Sequence, residues 1–368
     1  MKRKLVIGID ASRAVRAVRT GPESYSWEII RQLVQIPSSH TFRLYSPTQP
    51  PSNFLPKRTN VEWRILPQRR LWSQVRLAKE LKDNRPDVLF VPSHVVPFFS
   101  NVPTVVTLHD VSYKYFPRQY STFDRRYLNF STAVSLGRSK TVLTPTEATK
   151  SDLVKFYKAD PSRIVVTPLG YNRELYHPPK PGEKPPLDDP YIMFVGRIED
   201  KKNVGLLVDA FSLLSKEQKK VKLLLVGRSG YGYEGIKMKI DRLPPAAKQN
   251  VLMPGYIPHY DAALYLRHAS VFAFPSRHEG FGLAALEALA CGTPVVASNT
   301  PALAEMIGGA GVSLPSENPL TWAAALSRVL NQPSYAQELK DKSLARAKLY
   351  SWEKAAQMTL EVLEHAAT

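Results

Sequence analysis

The chain has 368 residues and a net charge of +18, and 43% of it is hydrophobic; that is enough for two separate cores at ordinary globular composition. The single cysteine, Cys291, excludes a disulfide framework and a thiolate metal cluster, and no apolar run approaches the roughly 18 residues of a membrane-crossing helix. The charge is lopsided: residues 1–180 hold 29 Lys and Arg against 13 Asp and Glu, and the remainder holds 21 against 19.

In chain order, the N-terminal KRKLVIGIDAS has an apolar run of five residues that stops at Asp10, too short for a secretory leader, and a cytoplasmic protein is expected. Apolar, β-rich runs follow: KLVIGID (4–10), FRLYS (42–46), VEWRIL (61–66), DVLFVPS (87–93), PTVVTLHD (103–110), KTVLTPT (140–146) and IVVTPLG (164–170). Helical segments fall between several of them, at 23–36, 72–84 and 147–157. Residues 176–190, YHPPKPGEKPPLDDP, contain six prolines, which continue neither a helix nor a central strand, so a semi-rigid linker is predicted there. After it the alternation resumes: YIMFVGR (191–197), a helix over 203–215, KLLLVGR (222–228), a basic helix, VLMPGYI (251–257), a helix over 259–268, VFAFPS (271–276), a helix over 282–290 and TPVVASN (293–299). Short buried strands alternating with helices imply parallel sheets covered on both faces. The reading is α/β: two doubly wound, Rossmann-like domains facing each other across a cleft, with ligands beyond the carboxyl ends of the strands.

Motifs at those carboxyl ends carry the chemistry. In SRHEGFGLAALEALACGTPVVAS (276–298) an apolar strand feeds a glycine turn that opens a helix, with Glu279 before the turn and Glu287 after it. Free N–H groups at a helix start suit an anion, and acceptor-only carboxylates suit sugar hydroxyls. Phosphate beside polyol describes a nucleotide-sugar. In VGRIEDKKN, Arg197 and Lys202 follow a strand and form a candidate diphosphate clamp. In MPGYIP, Tyr256 and Ile257 end a strand where a base would lie, and in TLHDVSY, His109 sits where it would meet a sugar hydroxyl or phosphate. Gly21, in TGPESY, could let backbone approach a phosphate. The GYGYEG run (230–235) matches GxGxxG, but no acidic residue follows the next strand until Asp261, so no dinucleotide site is expected. Without a D-x-D pair or a His/Cys cluster at ligand spacing, no essential metal or other cofactor is expected.

The segments GRIEDKKN, GYIP, PSRHEGFGLAALEALACGTPVVAS and TLHDVSY together resemble the retaining GT-B glycosyltransferases of family 4, which share two glutamates separated by seven residues. The resemblance covers almost the whole chain, including SWEKAA near the C-terminus, which in that family begins a helix crossing back to the first domain. It departs at Ala284, where proline is usual, and at the single glycine of the first-half loop. The resemblance implies an N-terminal acceptor domain (1–175), the linker, a donor domain (191–350) and the returning helix (351–368). It implies that Arg197 and Lys202 hold the diphosphate, Glu287 the ribose and Glu279 the donor-sugar hydroxyls. Ser276, Gly280, Phe281, Gly282 and Leu283 line sugar or phosphate, Tyr256 and Ile257 the base, and His109 touches the donor sugar. TLHDVSYKYFP resembles mannosyltransferases of surface-polysaccharide assembly, which implies GDP-mannose over a UDP-hexose, with a glycan or lipid-linked acceptor. A nucleotide-sugar epimerase of the same fold is the alternative enzyme. The basic first half alone suggests instead a membrane- or nucleic-acid-binding protein, and on an enzyme it predicts peripheral attachment to an anionic inner membrane face.

Overall fold

The computed structural model describes residues 3–17 and 19–368. The chain forms two compact units. One runs up to Gly170 and includes Ser351–Thr368; the other is Tyr171–Tyr350.

The first unit is built on seven parallel strands, β1 (Val6–Asp10), β2 (Thr41–Ser46), β3 (Val61–Ile65), β4 (Val88–Val91), β5 (Thr104–Thr107), β6 (Thr141–Thr144) and β7 (Ile164–Val166), in the order β3-β2-β1-β4-β5-β6-β7. The second has six parallel strands, β8 (Tyr191–Val195), β9 (Lys222–Val226), β10 (Val251–Gly255), β11 (Val271–Phe274), β12 (Val295–Ser298) and β13 (Val312–Leu314), in the order β10-β9-β8-β11-β12-β13. The central strands VLFV, TVVT, VFAF and VVAS are buried at every position, because helices cover both faces and leave no solvent side for polar residues. Pro254 is accommodated because β10 is an edge strand with an irregular register beside it.

Strand order reverses between β1 and β4 in one sheet and between β8 and β11 in the other. In an open parallel sheet such a switch point leaves a crevice outside the carboxyl ends of the two strands, because their connections depart to opposite faces.

Ser351 caps the helix Trp352–Ala366, its hydroxyl accepting from the Lys354 N–H at 3.1 Å. This helix packs on the helix Gly21–Leu33 and on β4 to β6, with Trp352 beside Tyr25 and Glu364 bonded to His40 at 3.0 Å. Gly170 abuts its first turn: a Cβ there would lie 2.0 Å from the Trp352 nitrogen. The proline-rich residues 176–190 lie within the second unit, where the Glu183 carboxylate accepts two bonds from the buried Arg267 guanidinium at 2.9 and 2.8 Å.

The longest helices outside the predicted set are Thr122–Arg138, Pro319–Asn331 and Pro333–Ala347, and the shorter Pro301–Ile307 is a further one. The first buries Ser131, Thr132 and Ser135, with Leu128 and Leu136 partly buried against the core, and leaves its aromatic residues outside, so its apolar residues mark no single inward face.

Candidate functional site

In the second unit, the loops after β8 and β11 meet at the switch point. Gly196 ends β8 at φ 153°, a conformation open to glycine, and its neighbour Gly227 leaves no room for a side chain: a Cβ would fall 1.8 Å from the Gly196 carbonyl oxygen. The chain then rises through Arg197 and Glu199 into the short turn Asp200–Lys202. Glu199 is buried and faces Arg197 Nε at 3.4 Å and Lys201 Nζ at 4.0 Å. Lys202 crosses to the other loop, where its Nζ donates to Glu279 Oε1 at 2.5 Å and lies 5.3 Å from the centre of the Phe274 ring. Both side chains are largely shielded from water, whereas Arg197 is exposed.

The loop after β11 is tied to the same turn. The Arg277 N–H donates to the Lys201 carbonyl at 2.9 Å, and the Ser276 hydroxyl donates to the His278 carbonyl at 3.1 Å. Gly282 caps the helix Leu283–Ala290 at φ 95°, and a Cβ there would meet Leu303 at 2.3 Å, so only glycine fits without displacement. The first N–H groups of this eight-residue helix follow Phe281, which is buried edge-on to Tyr350. Gly280 and Glu287 flank this start, Glu287 half-buried in the helix's second turn.

Tyr256 and Ile257 fall just beyond β10, as the motif predicts, with the Tyr256 ring half in solvent and the Arg228 guanidinium 5.0 Å from its centre. Arg228 follows β9, so a further cation stands at this end of the sheet. Arg228, Lys201 and Glu199 carry no role in the sequence reading. For Arg228 the signal was the recurrence of VGR at the ends of β8 and β9. The GYGYEG run has a structural reason: Gly230 and Gly232 give room to the side chains of Glu199 and Asp200, which a Cβ would contact at 2.7 and 2.2 Å.

In the first unit, Asp10 ends β1 and accepts from the Ser12 N–H at 2.9 Å; burial pushes its carboxyl up, against the Ser12 bonds and the charges of Arg13 and Arg16. Gly21 is the first residue of the helix Gly21–Leu33, and nothing lies near enough to exclude a side chain there. The charged feature here is Glu23, buried and bonded to Arg13 at 3.0 Å and to the Thr20 N–H at 3.2 Å; burial would raise its carboxyl, but the Thr20 and Arg13 bonds hold it below the ordinary range. His109, after β5, has its Nε2 2.9 Å from the Pro92 carbonyl, its ring edge-on to Tyr25 and 5.6 Å from His94. Burial and the neighbouring His94 push its pKa down to about 4, although the Pro92 bond and Asp110 oppose this. A carbonyl only accepts, so the neutral ring carries its proton on Nε2 and keeps the Nδ1 lone pair for an incoming hydroxyl. His94, also pushed down by burial, adopts φ 47°, rare for a non-glycine residue. The structure brings Arg197, Lys202, Ser276, Glu279, Phe281 and Gly282 to one switch point of the second unit, and sets His109 beside the switch point of the first.

Among the described residues, no group of three or more His, Cys, Asp or Glu side chains is arranged to hold a metal ion, and no helix is long and apolar enough to cross a membrane.

The sequence profile of the family described as Glycosyl transferases group 1 matches residues 180–346, and that of Glycosyltransferase Family 4 matches residues 19–175. The chain is 30% identical over 308 residues to the O-antigen chain mannosyltransferase B of Escherichia coli, covering 81% of this chain and 78% of that protein. It is 34% identical over 244 residues to a D-inositol 3-phosphate glycosyltransferase of Kineococcus radiotolerans, 60% of this chain and 56% of that protein. Among solved structures it is similar to Anabaena HepE in complex with UDP-glucose, with a TM-score of 0.77 and 16% identity over 98% of this chain and 100% of that one, a likeness of fold.

Proposed function

Because the chain belongs to the glycosyl transferases group 1 family and is a glycosyltransferase of GT-B fold, we propose that it moves mannose from GDP-mannose to a glycan or lipid-linked acceptor, with retention and without a metal or other cofactor. The observation that carries this reading is the Lys202–Glu279 pair, which sets a cation for phosphate and an acceptor for sugar hydroxyls side by side at the β8/β11 switch point. The name of the Escherichia coli relative supports mannose, and the HepE complex keeps a UDP-hexose as the competing donor.

Breaking the bond between the anomeric carbon and phosphate leaves negative charge on the diphosphate and positive charge on the sugar. In this reading Arg197, Lys202 and the start of the helix Leu283–Ala290 stabilise the first. Glu279 accepts from sugar hydroxyls and tolerates the second. Tyr256 and Ile257 hold the base, and Glu287 accepts from the ribose. Retention through a covalent sugar needs a second carboxylate about 5 Å across the bond, and Glu287 is committed to ribose. The acceptor oxygen therefore attacks on the face the phosphate leaves. The carbon–phosphate-oxygen bond breaks with its electron pair going to the phosphate, which takes the acceptor proton. His109, neutral at physiological pH, accepts from a sugar hydroxyl and does not pair with phosphate as a cation would.

The place of action is the cytoplasmic side of a membrane. Titration of the purified protein with GDP, UDP and ADP tests the donor class, because the base selects it. Preference for UDP overturns GDP-mannose. Epimerised sugar formed without acceptor overturns transfer.

A further inference from the structure

The helix Thr122–Arg138 is turned inside out. Its fully buried residues carry hydroxyls, with Leu128 and Leu136 partly buried beside them: Ser131 donates to the Leu128 carbonyl at 3.2 Å, Thr132 accepts from Tyr113 at 2.8 Å, and Ser135 donates to the His94 carbonyl at 2.5 Å. Its outward face is aromatic. Phe123 is 77% exposed, Phe130 56%, and Tyr127 lies between them, a spacing of four and three residues that makes one stripe.

That stripe continues onto neighbouring segments. Phe130 meets Phe98 edge-on at 5.4 Å, and Phe99 beside it is 83% exposed. The Phe98 N–H donates to Gln74 Oε1 at 2.9 Å, and Gln74 Nε2 donates to the Val96 carbonyl at 3.0 Å. Gln74 thus binds this loop to the turn that carries exposed Leu71 and Val75. Leu71 is held at φ 52°, a conformation that costs a leucine energy and keeps its side chain in water. Burying none of these side chains is unfavourable for an isolated protein, and together they exceed the scattered apolar exposure of an ordinary surface.

The charge around them has one sign. Residues 67–79 and 115–138 contain Arg69, Arg70, Arg76, Lys79, Arg118, Arg125, Arg126 and Arg138 against a single acid, Asp124, whose carboxylate is tied to Ser121. Aromatic side chains ringed by arginine match the boundary between headgroups and acyl chains, where the rings leave water and the cations meet lipid phosphate. A nucleic-acid strand would use the rings as stacking platforms, but Leu71 and Val75 stack on nothing.

We propose that this face docks the first unit on an anionic lipid bilayer, with Phe99, Phe123 and Phe130 inserted at the headgroup boundary and Arg69, Arg70 and Arg126 on lipid phosphate. It deepens the proposed action on a lipid-linked acceptor and rests on that reading only for what the docking serves. Through Ser135 the docked helix touches the His94 backbone, next to His109.

The test is co-sedimentation of the full-length protein with phosphatidylcholine vesicles, with and without phosphatidylglycerol, at low and high salt. The variants are Phe99→Ser/Phe123→Ser/Phe130→Ser and Arg69→Gln/Arg70→Gln/Arg126→Gln, all at exposed positions. The natural protein is expected to bind only the anionic vesicles, more weakly at high salt. The aromatic variant should lose about tenfold in partitioning at either salt, and the arginine variant should lose the lipid-charge preference. GDP and UDP titrations run on all three proteins should be unaltered. Equal binding to both vesicle types, an aromatic variant that binds as the natural protein does, or aromatic substitution that only dissolves a dimer overturns the docking. So does release of the protein from vesicles by RNA, matched by tight RNA binding. Loss of every nucleotide titration with vesicle binding retained overturns the proposed transfer and leaves the docking standing.

Discussion

Replacing Glu279 with glutamine should strengthen nucleotide binding while stopping transfer. Glu279 Oε1 is 2.5 Å from Lys202 Nζ, so each neutralises the other. A phosphate oxygen taken up by the same ammonium would lie about 3 Å from it, and hence roughly 5 Å from the carboxylate. At that separation two unit charges repel by about 3 kcal/mol at an effective dielectric of about 20. Residual solvent access and relaxation reduce this, and a net gain of about 1 kcal/mol, roughly fivefold in affinity, is expected. Glutamine keeps the shape and one acceptor oxygen but not the charge that the sugar's developing positive charge requires. Losing such a contact costs about 10² to 10³ in rate. The two readouts therefore move in opposite directions. Isothermal titration with GDP and UDP gives the first, and release of the nucleoside diphosphate in the presence of acceptor gives the second. If affinity for the nucleoside diphosphate falls together with the rate, Glu279 is holding the loop and not the sugar, and the assignment fails.

Lys202→Met keeps the stem against Phe274 and removes the charge, so nucleoside-diphosphate binding should weaken by about 1.5–3 kcal/mol while nucleoside binding is unchanged; equal losses for both ligands would put Lys202 away from phosphate. Gly282→Ala forces a side chain into a left-handed helix cap and against Leu303, and should cost about 1–3 kcal/mol, read as a lower thermal midpoint; an unchanged midpoint would mean the cap relaxes. For His109 the folded pKa, about 4, lies below the ordinary value of 6.5, so the unfolded chain binds the proton first. Its contribution to stability is full above about pH 6.5 and is lost as pH falls toward 4, by up to about 3 kcal/mol. Denaturant titrations of the natural protein and His109→Asn across that window should converge at low pH, and parallel curves would refute the shift.

The alternation of apolar runs with helical segments determined a parallel α/β chain with two sheets, because fully buried strands leave a local signature that no partner has to supply. The loops of the candidate site were legible for the same reason. Arg197, Lys202, Glu279 and Gly282 lie within about six residues of predicted strand ends, where backbone geometry restricts what fits, and Glu287 lies in the helix that Gly282 opens. What the sequence left open depends on contacts between distant segments. Arg228 follows β9 but acquires its place only because β9 and β10 are neighbours, setting it over Tyr256. Glu199 and Asp200 explain Gly230 and Gly232, which the sequence shows only as a nucleotide-like decoy. His109 was visible as a residue at a strand end, but its neutral state follows from burial beside His94 and Pro92, some 15 residues away in the chain. The helix Thr122–Arg138 is the sharpest case. The sequence reading places no helix there, and in the structure tertiary contacts from Tyr113 and His94 claim its hydroxyls while Phe123, Tyr127 and Phe130 stand in solvent. Periodicity reports that a helix has two faces; which face turns inward is settled by what the rest of the chain offers to bond.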